Sequence, residues 1–300
     1  MKTSEQRVDE LMKYGDTVYV ALDSVENNET RARSMLRFGI QIIARTLGEG
    51  KKANLLAGDR VHAMLWSEMQ KHSRAHDDID AWPHYQRVLD NLPRPTLLPE
   101  IDCVLDELAC SYADVRRLTR ARDGEFETDA SHSLHVALLA LPYAAENYPD
   151  LDQSKLAIYA LIHDIVEGYA GNVPSFGASE DRMRQKAIDE TAALDTIEEK
   201  FSFRYPHFVA MIFGYEHLVD DEAKFIKTFD KMDPGFTHLY NNGGVITNEL
   251  GITTSDNLML GYHDVTLSMM AYSAHYPLVM KDRDEIHRRV INAIDWQSAI

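Results

Sequence analysis

Cysteine is almost absent: Cys103 and Cys110 are the 2 in a chain of 300 residues. Seven positions apart on one helix, they lie near one face but too far apart for a helical disulfide. They match no zinc-site spacing. The expectation is two reduced thiols in a cytoplasmic protein. Glycine (15) and proline (10) are too sparse for a collagen-like or low-complexity chain. Positive charge is short as well, with 31 bases against 48 acids and a net charge of −17. That balance excludes general attraction to a nucleic-acid polymer or an anionic membrane. It still allows a small anionic substrate, because a metal ion can reverse the local field of a pocket. Long apolar runs are missing too. The stretch Val136 to Ala145 is interrupted by Pro142 and is roughly half of what a membrane span needs. The polar start Met1-Lys2-Thr3-Ser4-Glu5-Gln6-Arg7 shows no signal-peptide core. Alternating β-branched runs joined by Asn-Gly or Asp-Gly turns are not found.

What is present reads as all-α. Apolar residues make up 45% of the chain, enough for a sizeable core. Helical periodicity recurs at about 4–22, 31–47, 53–71 and 83–92, with Met35, Leu36, Ile40, Ile43 and Leu47 on one face of the second helix. Prolines at 93, 95 and 99 cannot sit inside a helix. They set a joint at 93–99 between an N-terminal helical region of undefined role (1–92) and the rest (100–300). Further helices are expected at 100–122, 130–147, 153–168, 179–200, 205–218, 220–232, 262–274 and 283–296, with a loop at Asn241-Asn242-Gly243-Gly244.

Four residues stand out on this frame: His132, the adjacent pair His163-Asp164, and Asp230. A lone buried histidine is more often a hydrogen-bonded core residue than a ligand. The pair, however, lies inside the strongly apolar stretch Leu156 to Val166, expected to be a buried helix, where an ionisable His-Asp dipeptide is costly unless something satisfies it. A divalent metal would do so. Two imidazoles with two carboxylates form a mixed N/O set suited to Mn, Co, Fe, Ni, Zn or, less well, Mg.

The order His132 … His163-Asp164 … Asp230 resembles the H…HD…D signature of HD-domain metal-dependent phosphohydrolases. The surrounding boxes are similar to those of the HD-type 5′-deoxynucleotidases: Ala130-Ser131-His132-Ser133, His163-Asp164-Ile165-Val166-Glu167, Gly171-Asn172-Val173-Pro174, and Glu222-Ala223-Lys224 through Asp230. The match covers roughly 105–240. Ser131 and Asn172 depart from it, standing where that branch carries Glu and Asp.

The resemblance implies a helical HD bundle and one divalent metal held by His132, His163, Asp164 and Asp230. Asp164 and Glu167 are then the catalytic pair, with Glu167 moving protons. Arg117, Arg120, Asn172, Arg182 and Arg184 are the substrate-contact candidates, with Lys186 in the same basic cluster. The implied substrate is a nucleotide, first of all a (deoxy)nucleoside 5′-monophosphate, with neither nucleic-acid polymer nor membrane as partner and a homodimer left open. Other HD reactions share the metal set: dNTP triphosphohydrolysis, phosphodiester cleavage and (p)ppGpp hydrolysis. A non-catalytic HD scaffold is the reading from another class. His135, His207 and His217 are read as core or surface residues, and Glu216 as a neighbour of the site.

Overall fold

The structure is a computed structural model, and it describes residues 2–22, 25–26, 29–49, 52–73, 101–120, 124–174, 176 and 178–297. The expected helix at 83–92 and the joint at 93–99 lie outside the described residues, as do His76 and His84, two histidines whose placement in the sequence reads as chance. The helices α1 (Ser4–Leu22), α2 (Arg31–Thr46) and α3 (Ala53–Ser73) come first, with the two-residue strands β1 (Val25–Glu26) and β2 (Glu29–Thr30) between the first two. Then follow α4 (Cys103–Ala113), strands β3 (Arg116–Arg120) and β4 (Phe126–Thr128), and helices α5 (Asp129–Asn147), α6 (Gln153–Ile162) and α7 (Glu167–Ala170). The remainder is α8 (Glu180–Phe201), α9 (Pro206–Glu216), α10 (Asp221–Asp230), α11 (Asp233–Tyr240), α12 (Gly244–Asn248), α13 (Ser255–Ser273) and α14 (Pro277–Ala293). Both cysteines are free thiols. Among the described residues no helix is long and apolar enough to cross a membrane.

Helix α5 is the axis of the fold. It is buried along nearly its whole length and packs against α1, α2, α6 and α10. Thr128 caps it, its side chain accepting from the Ser131 N–H. The N-terminal helices join the same core. α1 lies on α5 and α14, α2 on α4 and α5, and α3 on α6. Val8, Val18, Leu36, Ile40, Val61 and Leu65 belong to one buried cluster with Leu134, Leu138, Leu161 and Val290. Gly58 marks the closeness of the α3–α6 contact, since a Cβ there would fall 2.3 Å from Ser154 Cα.

Two stretches expected to be continuous helix take another form. The first helix after residue 100 stops at Ala113, and 116–120 form a strand paired antiparallel with 126–128. Strand alternation then separates residues that a helix would have placed together. Arg116 and Arg120 stack on Phe126 on one side, while Arg117 and Thr119 point to Asp129 and Glu127 on the other. The second departure is at 163–166, where a turn separates α6 from α7 in place of one continuous helix over 153–168. α13 and α14 begin 7 and 6 residues before their expected starts at 262 and 283.

A buried ion pair ties the chain ends to the axis. Arg7 grips Asp282 in bidentate fashion, with Nε and Nη2 each 2.6 Å from a carboxylate oxygen, and Tyr143 of α5 donates to the same carboxylate at 2.7 Å. Removing one partner strands a buried charge. Arg7→Ala is therefore expected to cost about 3–5 kcal/mol, read as a lowered urea midpoint at unchanged m-value.

Candidate metal centre and adjoining cavity

His132 sits in the first turn of α5, held by the Thr128 cap. His163 and Asp164 follow the last residue of α6, and Asp230 ends α10. Long stretches of chain separate them, yet one ligand atom from each lies within 4.8 Å of all the others. His132 Nε2 is 3.0 Å from Asp230 Oδ1 and 3.7 Å from Asp164 Oδ2. His163 Nε2 is 3.3 Å from Asp164 Oδ2 and 3.8 Å from Asp230 Oδ1. All four residues are buried.

The donor set fits a cation on the evidence of its own hydrogen bonds. His163 Nδ1 lies 2.9 Å from the Ala160 carbonyl, an acceptor only, so Nδ1 carries the proton. In the neutral ring, Nε2 then turns a bare lone pair toward two carboxylates, and that atom is buried with no hydrogen-bond partner. His132 donates from Nδ1 to Asp233 Oδ2 at 2.8 Å. Burial and Arg117 oppose its charge, but the bonds to Asp230 and Asp233 prevail and push the imidazole up to about 10. Asp230 is held well below the usual carboxylate range, Lys231 and His132 overcoming burial. The centre thus calls for positive charge, which a divalent ion bound by N and O ligands provides.

Asp233 is the residue that sequence reasoning missed. It is fully buried at the start of α11, and its other oxygen accepts from His135 Nδ1 at 2.5 Å. The carboxylate fixes the ring of His132 and, through it, which nitrogen faces the metal position. His135 itself is a core residue, packed against Tyr19 and Phe236. The signal was present: His132 and His135 are one helical turn apart, as are Asp230 and Asp233 by sequence spacing. His207 and His217 belong to none of the candidate ligand groups among the described residues.

Glu167 begins the short helix α7 instead of lying near the end of the long helix expected over 153–168. Its Oε2 accepts from Asn172 Nδ2 at 2.6 Å and its Oε1 from Lys186 Nζ at 3.3 Å. Burial and the charge of Asp164 still outweigh Arg117 and Lys186, and raise the Glu167 carboxyl above its ordinary value. Asp164 moves the other way. His163 and Arg117 overcome burial and hold it well below its ordinary value. Two carboxylates close together, separated in acidity, are an acid–base arrangement.

The cluster opens onto a cavity of about 350 Å³. Arg117, Asn172 and Lys186 line it, as do Glu216, Lys227, Lys231 and Arg283. Arg117 Nη1 bridges Asp129 and Asp164, 3.0 Å from each. The other three arginines expected at the substrate are not in the lining. Arg120 faces the opposite side of β3, paired with Glu249. Arg182 and Arg184 are exposed on α8, the latter bonded to Asp181. Their helical phase explains this, since Lys186 is the basic residue of that turn which faces inward.

A family model described as HD domain matches residues 113–265, a little over half of the chain. The chain belongs to the HD-domain family. Among solved structures it is similar to a chain from Magnetospirillum magnetotacticum MS-1 described as a predicted metal-dependent phosphohydrolase. The identity is 22%, over 61% of this chain and 89% of that one, with a TM-score of 0.46. No curated protein matches.

Two outcomes are expected. Asp233→Asn should weaken divalent-metal affinity about 10–100-fold, measured by competition with a chromophoric chelator. Glu216, pushed up from 4.5 to about 7 chiefly by burial, keeps a proton in the folded state that the unfolded chain has released. Its contribution to stability therefore declines as pH rises from 4.5 to about 7. Glu216→Gln should flatten that part of the stability–pH curve, followed by urea denaturation.

Proposed function

We propose that this chain is a metal-dependent phosphohydrolase that releases phosphate from (deoxy)nucleoside 5′-monophosphates. The observation that carries the reading is the convergence of His132, His163, Asp164 and Asp230 within 4.8 Å, with His163 and Asp164 in the wall of a cavity also lined by Glu167 and basic side chains. A divalent ion bound there would offset charge on the phosphoryl oxygens and lower the pKa of an attacking water. The protein's own groups do the rest. Arg117, anchored on Asp129 and Asp164, presents its guanidinium at the cavity wall for a phosphoryl oxygen. Lys186 and Lys231 add positive field in a low-dielectric pocket, where it acts most strongly. Glu167, with its raised pKa, holds a proton near the scissile bond and passes it to the leaving 5′-oxygen.

Asn172 bears on the role of Glu167. The HD-type 5′-deoxynucleotidase boxes place Asp at this point of the loop, and an Asp here would face Glu167 as a second carboxylate. The amide donates to Glu167 instead, orienting it without adding charge. Nucleotide and monophosphate preference rest on the similarity of the sequence boxes and on a cavity volume suited to one small ligand.

The test is release of inorganic phosphate from dNMPs, NMPs, dNTPs and ppGpp with Mn, Co, Mg or Zn. Monophosphates should be turned over, and Asp164→Ala should lose metal and turnover together. Glu167→Gln should retain metal and lose about 10²–10⁴ in kcat. Release of triphosphate from dNTPs would replace the monophosphatase reading, and a fully active Glu167→Gln would remove the role given to Glu167.

A further inference from the structure

The cavity has a second set of polar groups that the metal centre does not use. His238 of α11, Tyr262 of α13, and Arg283 and His287 of α14 all line it. Tyr262 and His287 stack face to face, with centroids 3.6 Å and planes 2° apart. Arg283 is buried to 1% exposure. Its Nε donates to the Lys231 carbonyl at 3.3 Å and its Nη1 to Thr266 Oγ1 at 2.8 Å, both neutral acceptors. Among the described residues Arg283 forms no ion pair. The charge of Asp284 is outweighed by burial, and the guanidinium lies below its ordinary value. Arg117, Lys186 and Lys231 of the same lining differ in this respect, each pairing with a carboxylate.

A buried guanidinium without a counter-ion is costly. Its neighbours share the imbalance. Burial pushes His238 down to about 4, and burial with the charges of Arg283 and His238 holds His287 well below its ordinary value. The Tyr262 hydroxyl and His238 Nδ1 are buried without hydrogen-bond partners. One arginine, two imidazoles and a phenol are the side chains that bind oxyanions, and their surroundings include the apolar Leu258 and Val265. The transferred phosphoryl group has its own cations in Arg117, Lys186 and Lys231, which border Asp164, Glu167 and Asp230.

We propose that Arg283, with Tyr262, His238 and His287, forms a subsite for a second anionic group of the substrate, a phosphate or carboxylate distinct from the phosphoryl group that is released. This rests on the phosphohydrolase reading and narrows it to phosphomonoesters with a second anion, such as a nucleoside 5′-phosphate that is also 3′-phosphorylated. A purely structural Arg283, holding the end of α10 through the Lys231 carbonyl, would be indifferent to that second group.

Two matched pairs test it on the full-length, metal-loaded protein: adenosine 3′,5′-bisphosphate against AMP, and 3-phosphoglycerate against glycerol 3-phosphate. The member with the second anion should show a KM about tenfold lower in at least one pair, and which pair responds separates phosphate from carboxylate. The ratio should fall to near 1 in Arg283→Met and recover in part in Arg283→Lys. Calorimetric binding of the hydrolysis-resistant phosphonate isosteres of the glycerate pair, and of free inorganic phosphate, reads the subsite without turnover. Failure of the functional reading, with no monoester hydrolysed, is thereby distinguished from failure of the subsite. Equal KM within both pairs in the wild-type protein, together with equal binding of the two glycerate-pair isosteres, would overturn the proposal, as would a ratio that survives in folded Arg283→Met. Inorganic phosphate that lowers the KM for AMP would also overturn it, because the anion would then be a separate effector.

Discussion

His132 is clamped between two carboxylates, Asp233 on Nδ1 and Asp230 on Nε2, and the arrangement of the site follows from that clamp. Asp233 also accepts from His135, one turn further along α5, so the central helix and the α10–α11 corner are locked in both rotation and height. Once that register is set, Asp230 can meet His163 and Asp164 only where α6 ends. The axis helix, the two packed helices and the ligand positions are therefore one construction. A shift of α5 by a single residue would carry both histidines off Asp233 and leave a buried carboxylate uncompensated.

The break between α6 and α7 serves the same end. At 163–166 the α-ladder gives way to tighter i→i+3 bonds, from Ile165 N–H to the Ile162 carbonyl and from Glu167 N–H to that of Asp164. The turn lets the His163 ring hydrogen-bond back to the Ala160 carbonyl and lets the Asp164 carboxylate face the same space as its Nε2. It also brings Glu167 to the start of a new helix beside the cavity, where Asn172 and Lys186 can reach it.

The β3–β4 hairpin has an analogous effect on the arginines. Arg117 and Arg120 are grouped by the resemblance, both lying just upstream of the His132 box, and on the expected helix they would share a face. A strand divides them by face: Arg117 turns inward to Asp129 and Asp164, and Arg120 turns outward to Glu249. Phase likewise separates Arg182 and Arg184 from Lys186 on α8. Arg283 and Tyr262 carried no local signal, because each reads as an ordinary residue of an amphipathic helix. Their meaning lies in what does not sit beside them.

Apolar periodicity was enough to define the helical class and most helix spans, because burial of one helical face is a local property of spacing. The adjacency of His163 and Asp164 after an apolar stretch, and the ordered boxes around His132 and Asp230, were enough to identify the four candidate ligands. Charge and composition set the broad limits on partners. The tertiary structure alone decided which carboxylate orients His132, which basic residues border the cavity, and where a buried arginine lies without a counter-ion. Those features depend on distances between residues far apart in sequence and on the facing of side chains after the chain has packed. Neither is encoded in any short window of residues.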